Sequence, residues 1–598
     1  MGQGGFITLV NGTNAPWLRS SQNSYQMNNW DFPELILPYS SARIYVEWNQ
    51  NIFHTQKDDN GQVVYEMKAP GLAAPRTLSI DASANPSFNI SAAANFATQT
   101  MQPNAVVNLG WSHNGNLTLV LAGDAGGFPF MTGDNVGAWM LRSIDRIGQK
   151  TLAEIAIPGA HDAGMSTLGS PTAFSHSCNT QTQTLDIADQ LQQGVRYFDI
   201  RPVIGGGEYY TGHYSQIDIK VYDGWQGARG QKISDVVSQI NEFALNSNEL
   251  IIVDLSHAYD TDAGNGGYTD FTADQWNGLL AEFKGIQNLY TNSAQGLPDF
   301  TKMTISGLIP IASQVIVIVR SDLAGIDLGN TFYPGSCLAT YNEYSGTNDL
   351  GTMVSDQLSK MKAQKGAGAY FLLSWTLTQS NAEALCFLDP TGSTDSILDL
   401  ASEANQALAP DLVPALTAQA FPNIVYVDDI QDSLQTMMAL YVNELLSATA
   451  AYAFQSAAFP AAYIRMDGQG VTAPVGAGAG TVNAQIDAGP WEEFHLVPQG
   501  DGTFAIQSAE WGNVSIRLDG SVAGDQKTVN CQFGVGPWEV FRLKPVGGEY
   551  FAIQSVAFPT LYLALDTEGA TSPNGSGVGM VYGTTDLGPK SQFKLVLS

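Results

Sequence analysis

From residue 136 to residue 448 the chain alternates apolar runs of strand length with stretches of helical periodicity, and almost every run stops at a polar or reactive side chain. The runs are Glu154–Ile157 ahead of His161, Val195–Ile200 ahead of Arg201, Leu250–Leu255 ahead of His257, Val315–Val319 ahead of Arg320, Tyr370–Ser374 ahead of Trp375, and Ile424–Val427 ahead of Asp428. Between them, Gln183–Gln193 has helical spacing closed by Gly194 as C-cap. Lys232–Asn246 carries Ile233, Val236, Val237, Ile240, Phe243 and Ala244 on one stripe, and Leu434–Leu446 follows Ser433 as candidate N-cap. Strands alternating with helices, with reactive groups at the carboxyl ends, predict a (β/α) TIM-type barrel. Eight clean strands cannot be counted, so a distorted or incomplete barrel is as compatible as a regular one.

The flanks are β in character. Residues 1–130 hold short runs such as Ala42–Trp48 and Val63–Met67, with Asp59-Asn60-Gly61 as a hairpin turn and two strands around His113-Asn114-Gly115-Asn116. This predicts a β-sandwich. Trp17, Trp30, Trp48 and Trp111 serve there either as a binding face or as core aromatics. Residues 450–598 repeat themselves: Tyr452-Ala453-Phe454-Gln455-Ser456 recurs as Phe504-Ala505-Ile506-Gln507-Ser508 and Phe551-Ala552-Ile553-Gln554-Ser555. Gly489-Pro490-Trp491-Glu492 recurs as Gly536-Pro537-Trp538-Glu539 and, loosely, as Gly588-Pro589-Lys590-Ser591. Three β copies at a period of about 50 resemble a β-trefoil, closer to the fascin type than to the ricin-B type. Its role is open between a glycan or protein ligand and a stabilising spacer.

Lys+Arg total 26 against Asp+Glu 56, a net charge of −30, which argues against nucleic acid as partner and against long-range attraction to an acidic membrane. A lipid-active chain of this charge must engage its target by local contacts. Cys178, Cys337, Cys386 and Cys531 form no close pair and read as thiols, with Cys337–Cys386 as the alternative bridge. No apolar run is long enough to span a bilayer, and no basic segment precedes an apolar one at the start. The expected location is cytoplasmic or peripheral to a membrane, with unconventional release as the alternative.

The chemistry concentrates in Ile157-Pro158-Gly159-Ala160-His161-Asp162-Ala163-Gly164, then Tyr197-Phe198-Asp199-Ile200-Arg201, then Thr211-Gly212-His213. Residues two apart on a strand share a direction, so Asp199 and Arg201 face the barrel mouth together. A guanidinium can fork onto phosphate oxygens, one imidazole can take a proton from a hydroxyl, and another can give one to a leaving alkoxide. Asp162 and Asp428 (or its neighbour Asp429) are candidates for fixing the imidazole tautomers. This is phosphodiester cleavage by a neighbouring hydroxyl of the substrate, with no cofactor and no metal.

These motifs resemble the X domain of phosphatidylinositol-specific phospholipase C, whose bacterial and fungal members carry a closely similar Ile-Pro-Gly-Thr-His-Asp-Ser-Gly stretch. The resemblance covers about 136–448 and implies a distorted barrel that cleaves inositol phospholipid, or a glycosyl-inositol anchor, into diacylglycerol and a cyclic inositol phosphate. It implies His161 as base on the inositol 2-hydroxyl, His213 as acid, Arg201 on the phosphate, and Asp162 and Asp428 as orienting groups. Asp199, His257, Arg320 and Trp375 are the candidate substrate-binding residues; His257 stands where bacterial members tend to carry a lysine. The calcium-dependent branch has carboxylates at the positions of Asp199 and Arg201, so the cation Arg201 implies no calcium requirement. Two competitors stand beside this reading. One is a catalytically weak, lectin-like or membrane-binding protein; the other is an enzyme for a different phosphodiester, such as a lysophospholipid or sphingolipid.

Overall fold

The apolar runs become strands covered on both faces: every residue of Leu250–Leu255 and all but the first of Gln314–Val319 are buried, as in a parallel sheet wrapped by helices. The computed structural model describes residues 3–50, 55–69, 72, 74–219, 222–264, 267–389 and 393–597. It divides into two units, Thr132–Asp411 with Gln419–Ser447, and Met1–Met131 with Leu412–Ala418 and Ala448–Ser598.

The first of these units is built on β1 (Ile157–Ala160), β2 (Tyr197–Ile200), β3 (Leu250–Leu255), β4 (Gln314–Val319), β5 (Phe332–Pro334), β6 (Thr340–Tyr341), β7 (Tyr370–Ser374) and β8 (Ile424–Val427). Their order in space is β5-β4-β3-β2-β1-β8-β7-β6, and each neighbouring pair is parallel. Chain order thus follows a (β/α)-barrel sheet, with no β5–β6 pairing among the described residues. Among the described residues, the α-helices longer than four residues are α1 (Ile187–Gln192), α2 (Ile233–Leu245), α3 (Ala273–Phe283), α4 (Leu350–Gly366), α5 (Ile397–Ala415) and α6 (Gln435–Leu446). α2 buries the whole stripe read from its periodicity. Gly194, at φ 92°, ends the α1 segment in the left-handed region that favours glycine.

Several boundaries differ from the sequence expectation. Leu152–Glu154 is a 3-10 turn, and the strand expected over Glu154–Ile157 instead runs Ile157–Ala160, with Pro158 and Gly159 inside it. The strand expected from Val195 begins at Tyr197. Ser433 does not cap α6: Leu434 occupies the N-cap, and the Ser433 hydroxyl donates to Ile430 O at 3.1 Å. A side sheet was not anticipated at all; it holds Pro202–Gly205, Glu208–Ile219, Tyr222–Lys232, Tyr259–Asp260 and Thr269–Asp270. Cys178 pairs with Cys386, which overturns the thiol reading for these two and the Cys337–Cys386 alternative, while Cys337 and Cys531 are buried thiols as expected.

In the other unit, two sheets of five and six strands precede a sheet of twelve. Ile7, Val46 and Leu119 of the five-stranded sheet share one core with Trp17, Tyr65, Ile80 and Ile90 of the six-stranded sheet. Trp17, Trp30 and Trp48 are buried and Trp111 packs against them, so the tryptophans serve the core rather than a binding face. Asp59-Asn60-Gly61 is not a hairpin turn, because Asn60 already opens the strand Asn60–Met67. The strands flanking His113 also separate, Val106–Gly110 pairing in one sheet and Asn116–Gly123 in the other.

Each C-terminal repeat contributes four strands, the first being Tyr452–Ser456, Ala462–Asp467, Thr481–Ile486 and Phe494–Gly500. Two repeats carry the same buried brace: Arg465 lies 4.4 Å over Trp491 beside Glu492, and Arg517 lies 4.5 Å over Trp538 beside Glu539. The third has Ala564, Lys590 and Ser591 at these places, and Lys590 reaches Asp566 instead.

Candidate active site

The carboxyl ends of β1, β2 and β8 deliver His161, Arg201 and Asp428, while His213 arrives from the side-sheet strand Glu208–Ile219. His161 Nδ1 lies 2.7 Å from Asp428 Oδ1 and Nε2 lies 2.8 Å from an Arg201 amino group. The guanidinium can only donate, so Nε2 accepts and the proton sits on Nδ1, directed at Asp428. Burial, the largest influence, and Arg201 pull the His161 pKa down; Asp428 and Asp162 outweigh them and leave it above the ordinary value.

Asp162 lies between Arg201 and the two imidazoles. Its Oδ2 is 3.0 Å from Arg201 Nη1, 3.9 Å from His213 Nδ1 and 4.0 Å from His161 Nε2. His213 Nδ1 donates to the Thr180 carbonyl at 3.0 Å, leaving Nε2 for chemistry. The side chains of His161, Arg201 and His213 keep 13%, 16% and 19% exposure, enough for a ligand to reach them. Asp162, His257 and Asp429 all hold positive φ, 41°, 49° and 45°, immediately beyond strand ends. For residues other than glycine that conformation stores about 1–3 kcal/mol each and recurs where a site needs a fixed geometry.

Arg201 is held from below. Asp199 Oδ2 accepts from Arg201 Nε at 3.1 Å and from the Tyr426 hydroxyl at 2.6 Å, and Asp199 Oδ1 accepts from Ser256 at 3.1 Å. Burial pushes the Asp199 carboxyl up, but Arg201, His161 and the Tyr426 hydroxyl overcome it and hold the group far below the usual carboxylate range. Burial and the neighbouring Arg201 cation lower the His257 pKa from its ordinary value, outweighing Asp199 and Asp162.

His161, Arg201, His213, His257 and Asp428 line one cavity of about 700 Å3. Of the sequence candidates, His161, Asp162, Arg201, His213 and Asp428 converge, and His257 borders them. Asp428, not Asp429, reaches His161; Asp429 accepts from Thr184 Oγ1 at 2.6 Å instead. The other three candidates do not line this cavity. Asp199 is a buried support for Arg201. Arg320 is turned to Asp254 at 2.7 Å. Trp375 is fully buried, its indole donating to Ala404 O at 2.7 Å. Sequence reading missed Tyr344, whose hydroxyl accepts from Arg201 Nη2 at 3.1 Å, and Tyr426. Tyr426 falls at an inward position of β8 and was legible in principle; Tyr344 lies in a loop with no pattern.

The family model described as "Phosphatidylinositol-specific phospholipase C, X domain" matches residues 155–282. Two curated proteins named 1-phosphatidylinositol phosphodiesterase, from Staphylococcus aureus strains Newman and NCTC 8325 / PS 47, are each 30% identical over 125 residues. That stretch is 21% of this chain and 35% and 34% of theirs, so the match spans about a third of the curated relatives' length. Among solved structures, a phosphatidylinositol-specific phospholipase C of S. aureus is 18% identical, covering 52% of this chain and 97% of its own at a TM-score of 0.36. That of Listeria monocytogenes is 16% identical, covering 52% and 99% at 0.36. A designed three-fold symmetric protein, ThreeFoil, is 16% identical, covering 24% and 97% at 0.21. Among the described residues no helix is long and apolar enough to cross a membrane.

Proposed function

We propose that the protein is a phosphodiesterase of the phospholipase C type that cleaves phosphatidylinositol or a glycosyl-inositol anchor. The observation that carries this reading is the meeting of His161, Arg201, His213 and Asp428 in one cavity, with buried Asp162 within 4.0 Å of the first three. His161 Nε2 takes the proton of the inositol 2-hydroxyl, whose oxygen forms a bond to phosphorus. The bond from phosphorus to the glycerol oxygen breaks, and protonated His213 gives its Nε2 proton to that oxygen. Arg201 opposes the charge that grows on the phosphoryl oxygens. Asp428 fixes the tautomer of His161, and Asp162 orients Arg201 and His213. The products are diacylglycerol and a cyclic inositol phosphate.

The reaction is proposed to need no metal, because the Arg201 guanidinium already sits between Asp162 and Asp199, the place a cation would take. The barrel over 136–448 is proposed as a phospholipase C X-type domain between a β-sandwich over 1–130 and a β-trefoil over 450–598. Shared core residues support the sandwich, and three four-stranded repeats support the trefoil. The Cys178–Cys386 bond favours an oxidising compartment over the cytoplasm.

Phosphorus NMR of phosphatidylinositol treated with the full chain and a chelator tests the reading. A cyclic phosphodiester signal growing with released diacylglycerol is expected. An acyclic product only would overturn the mechanism, and activity lost with chelator would overturn metal independence.

A further inference from the structure

Away from the reacting groups the cavity turns apolar. Phe174, Leu377, Leu385, Phe387, Leu388 and Ile397 line it together with His161, Arg201 and His213. Phe174, Leu385 and Leu388 are 36%, 40% and 66% exposed, an unfavourable position for such side chains unless something apolar covers them in use. The wall is not a loose rim. Cys178 is bonded to Cys386, Asn179 Nδ2 donates to Ala384 O at 2.8 Å, and Gln379 Nε2 donates to Cys178 O at 3.0 Å. The His176 ring stacks on Phe387 with centroids 4.7 Å apart. These links tie the segment carrying Phe174 to the short helix Glu383–Leu388 that carries the other exposed groups.

The wall is also continuous with the chemistry. Thr180, two residues past Cys178, accepts the Nδ1 proton of His213, the imidazole assigned to the leaving oxygen. The apolar surface therefore starts on the side of the site where the departing alcohol lies. At net charge −30 the protein has no long-range attraction to an anionic surface, so affinity for an amphiphile must come from contact.

We infer that this disulfide-linked wall is an alkyl subsite, which takes hydrocarbon of the leaving alcohol out of water and selects an amphiphilic phosphodiester engaged as a single molecule. The inference rests on the phosphodiesterase reading for the identity of the leaving group, but not for the existence of the subsite. Each methylene that the wall covers strengthens binding by up to about fourfold, from about 0.8 kcal/mol per buried group.

Calorimetry with monomeric alkyl phosphates from butyl to decyl, on the full chain, tests it without requiring turnover. The expected result is a dissociation constant that falls about two- to fourfold per added methylene until the wall is filled. Leu388→Asp, at an exposed position, flattens the series, and so does the double variant Cys178→Ser with Cys386→Ser. A flat series in the wild type overturns the inference whether or not phosphatidylinositol is cleaved. Binding that appears only on lipid vesicles overturns it as well and makes the wall a membrane-docking surface. A rising series with no cleavage of any inositol phosphodiester sinks the proposed reaction and leaves the subsite.

Discussion

Arg201 donates a hydrogen bond to Nε2 of His161 across 2.8 Å. The cation thus occupies the lone pair that a general base must present to a hydroxyl. A phosphate entering the cavity competes for the same guanidinium and offers it a forked, charge-assisted partner. Binding of substrate and uncovering of the base are then one event.

Replacement of Arg201 by methionine tests this coupling. The guanidinium lowers the proton affinity of His161, so in Arg201→Met the His161 ring signals titrate at higher pH than in the wild type. Turnover falls at the same time by about 10²–10³-fold, the range for losing one group that stabilises developing charge. Ring-proton NMR reads the first effect, and a downward shift would refute the coupling.

Asp428 acts on His161 in the opposite direction. It raises the pKa and fixes the proton on Nδ1. A base works above its pKa, so activity is lost as pH falls through that value. In Asp428→Asn the midpoint of the acid limb of kcat/KM moves to lower pH, while the plateau drops by about 10²–10⁴-fold as the tautomer is released. A limb that stays in place would assign it to another group.

How far the sequence disclosed this arrangement depended on strand length. β7 and β8 begin and end where their apolar runs do, because both faces are buried, and Asn423 and Asp428 bound β8. β5 and β6 have three and two residues and offer no period to read. Arg201 and Asp428 were legible since each directly follows an apolar run, and His161 since it stands in the Pro158-Gly159-Ala160-His161-Asp162 motif. Tyr344 was not, since only the fold brings its loop over Arg201. Cys178 and Cys386 stand 208 residues apart, and no spacing rule joins them. Trp375 shows the opposite error: its place at a strand end suggested the cavity, yet its indole finds its hydrogen-bond partner in the helix layer.

Below the site, Arg196 and Glu249 form a fully buried pair, with Glu249 Oε2 2.9 Å from Nε and 2.8 Å from Nη2. The same carboxylate accepts from the amides of Met140 and Leu141. Glu249→Ala leaves a cation and two amides without their acceptor inside the barrel unit. The expected loss is about 3–5 kcal/mol of unfolding free energy, the range for breaking a buried pair from one side. Urea unfolding measures it, and Glu249→Gln, which keeps an acceptor, should lose less.

Lys365, near the end of α4, gives the stability of the barrel unit a pH dependence of unusual sign. Its Nζ donates to Asn423 Oδ1 at 2.8 Å and lies 4.1 Å over the Phe421 ring. Burial lowers its pKa from 10.5 to about 8. Below the lower value the lysine is charged in both states, and the folded chain bears the whole cost of a partly desolvated ammonium. Between the two values the unfolded chain holds the proton more often than the folded one, so stability rises with pH across that window. Above 10.5 both forms are neutral and the contribution levels off. The difference in unfolding free energy between wild type and Lys365→Met, followed from pH 7 to 11, isolates this from other titrating groups. It should move in favour of the wild type as pH climbs through about 8; a difference independent of pH would mean that the ammonium is fully solvated in the folded protein.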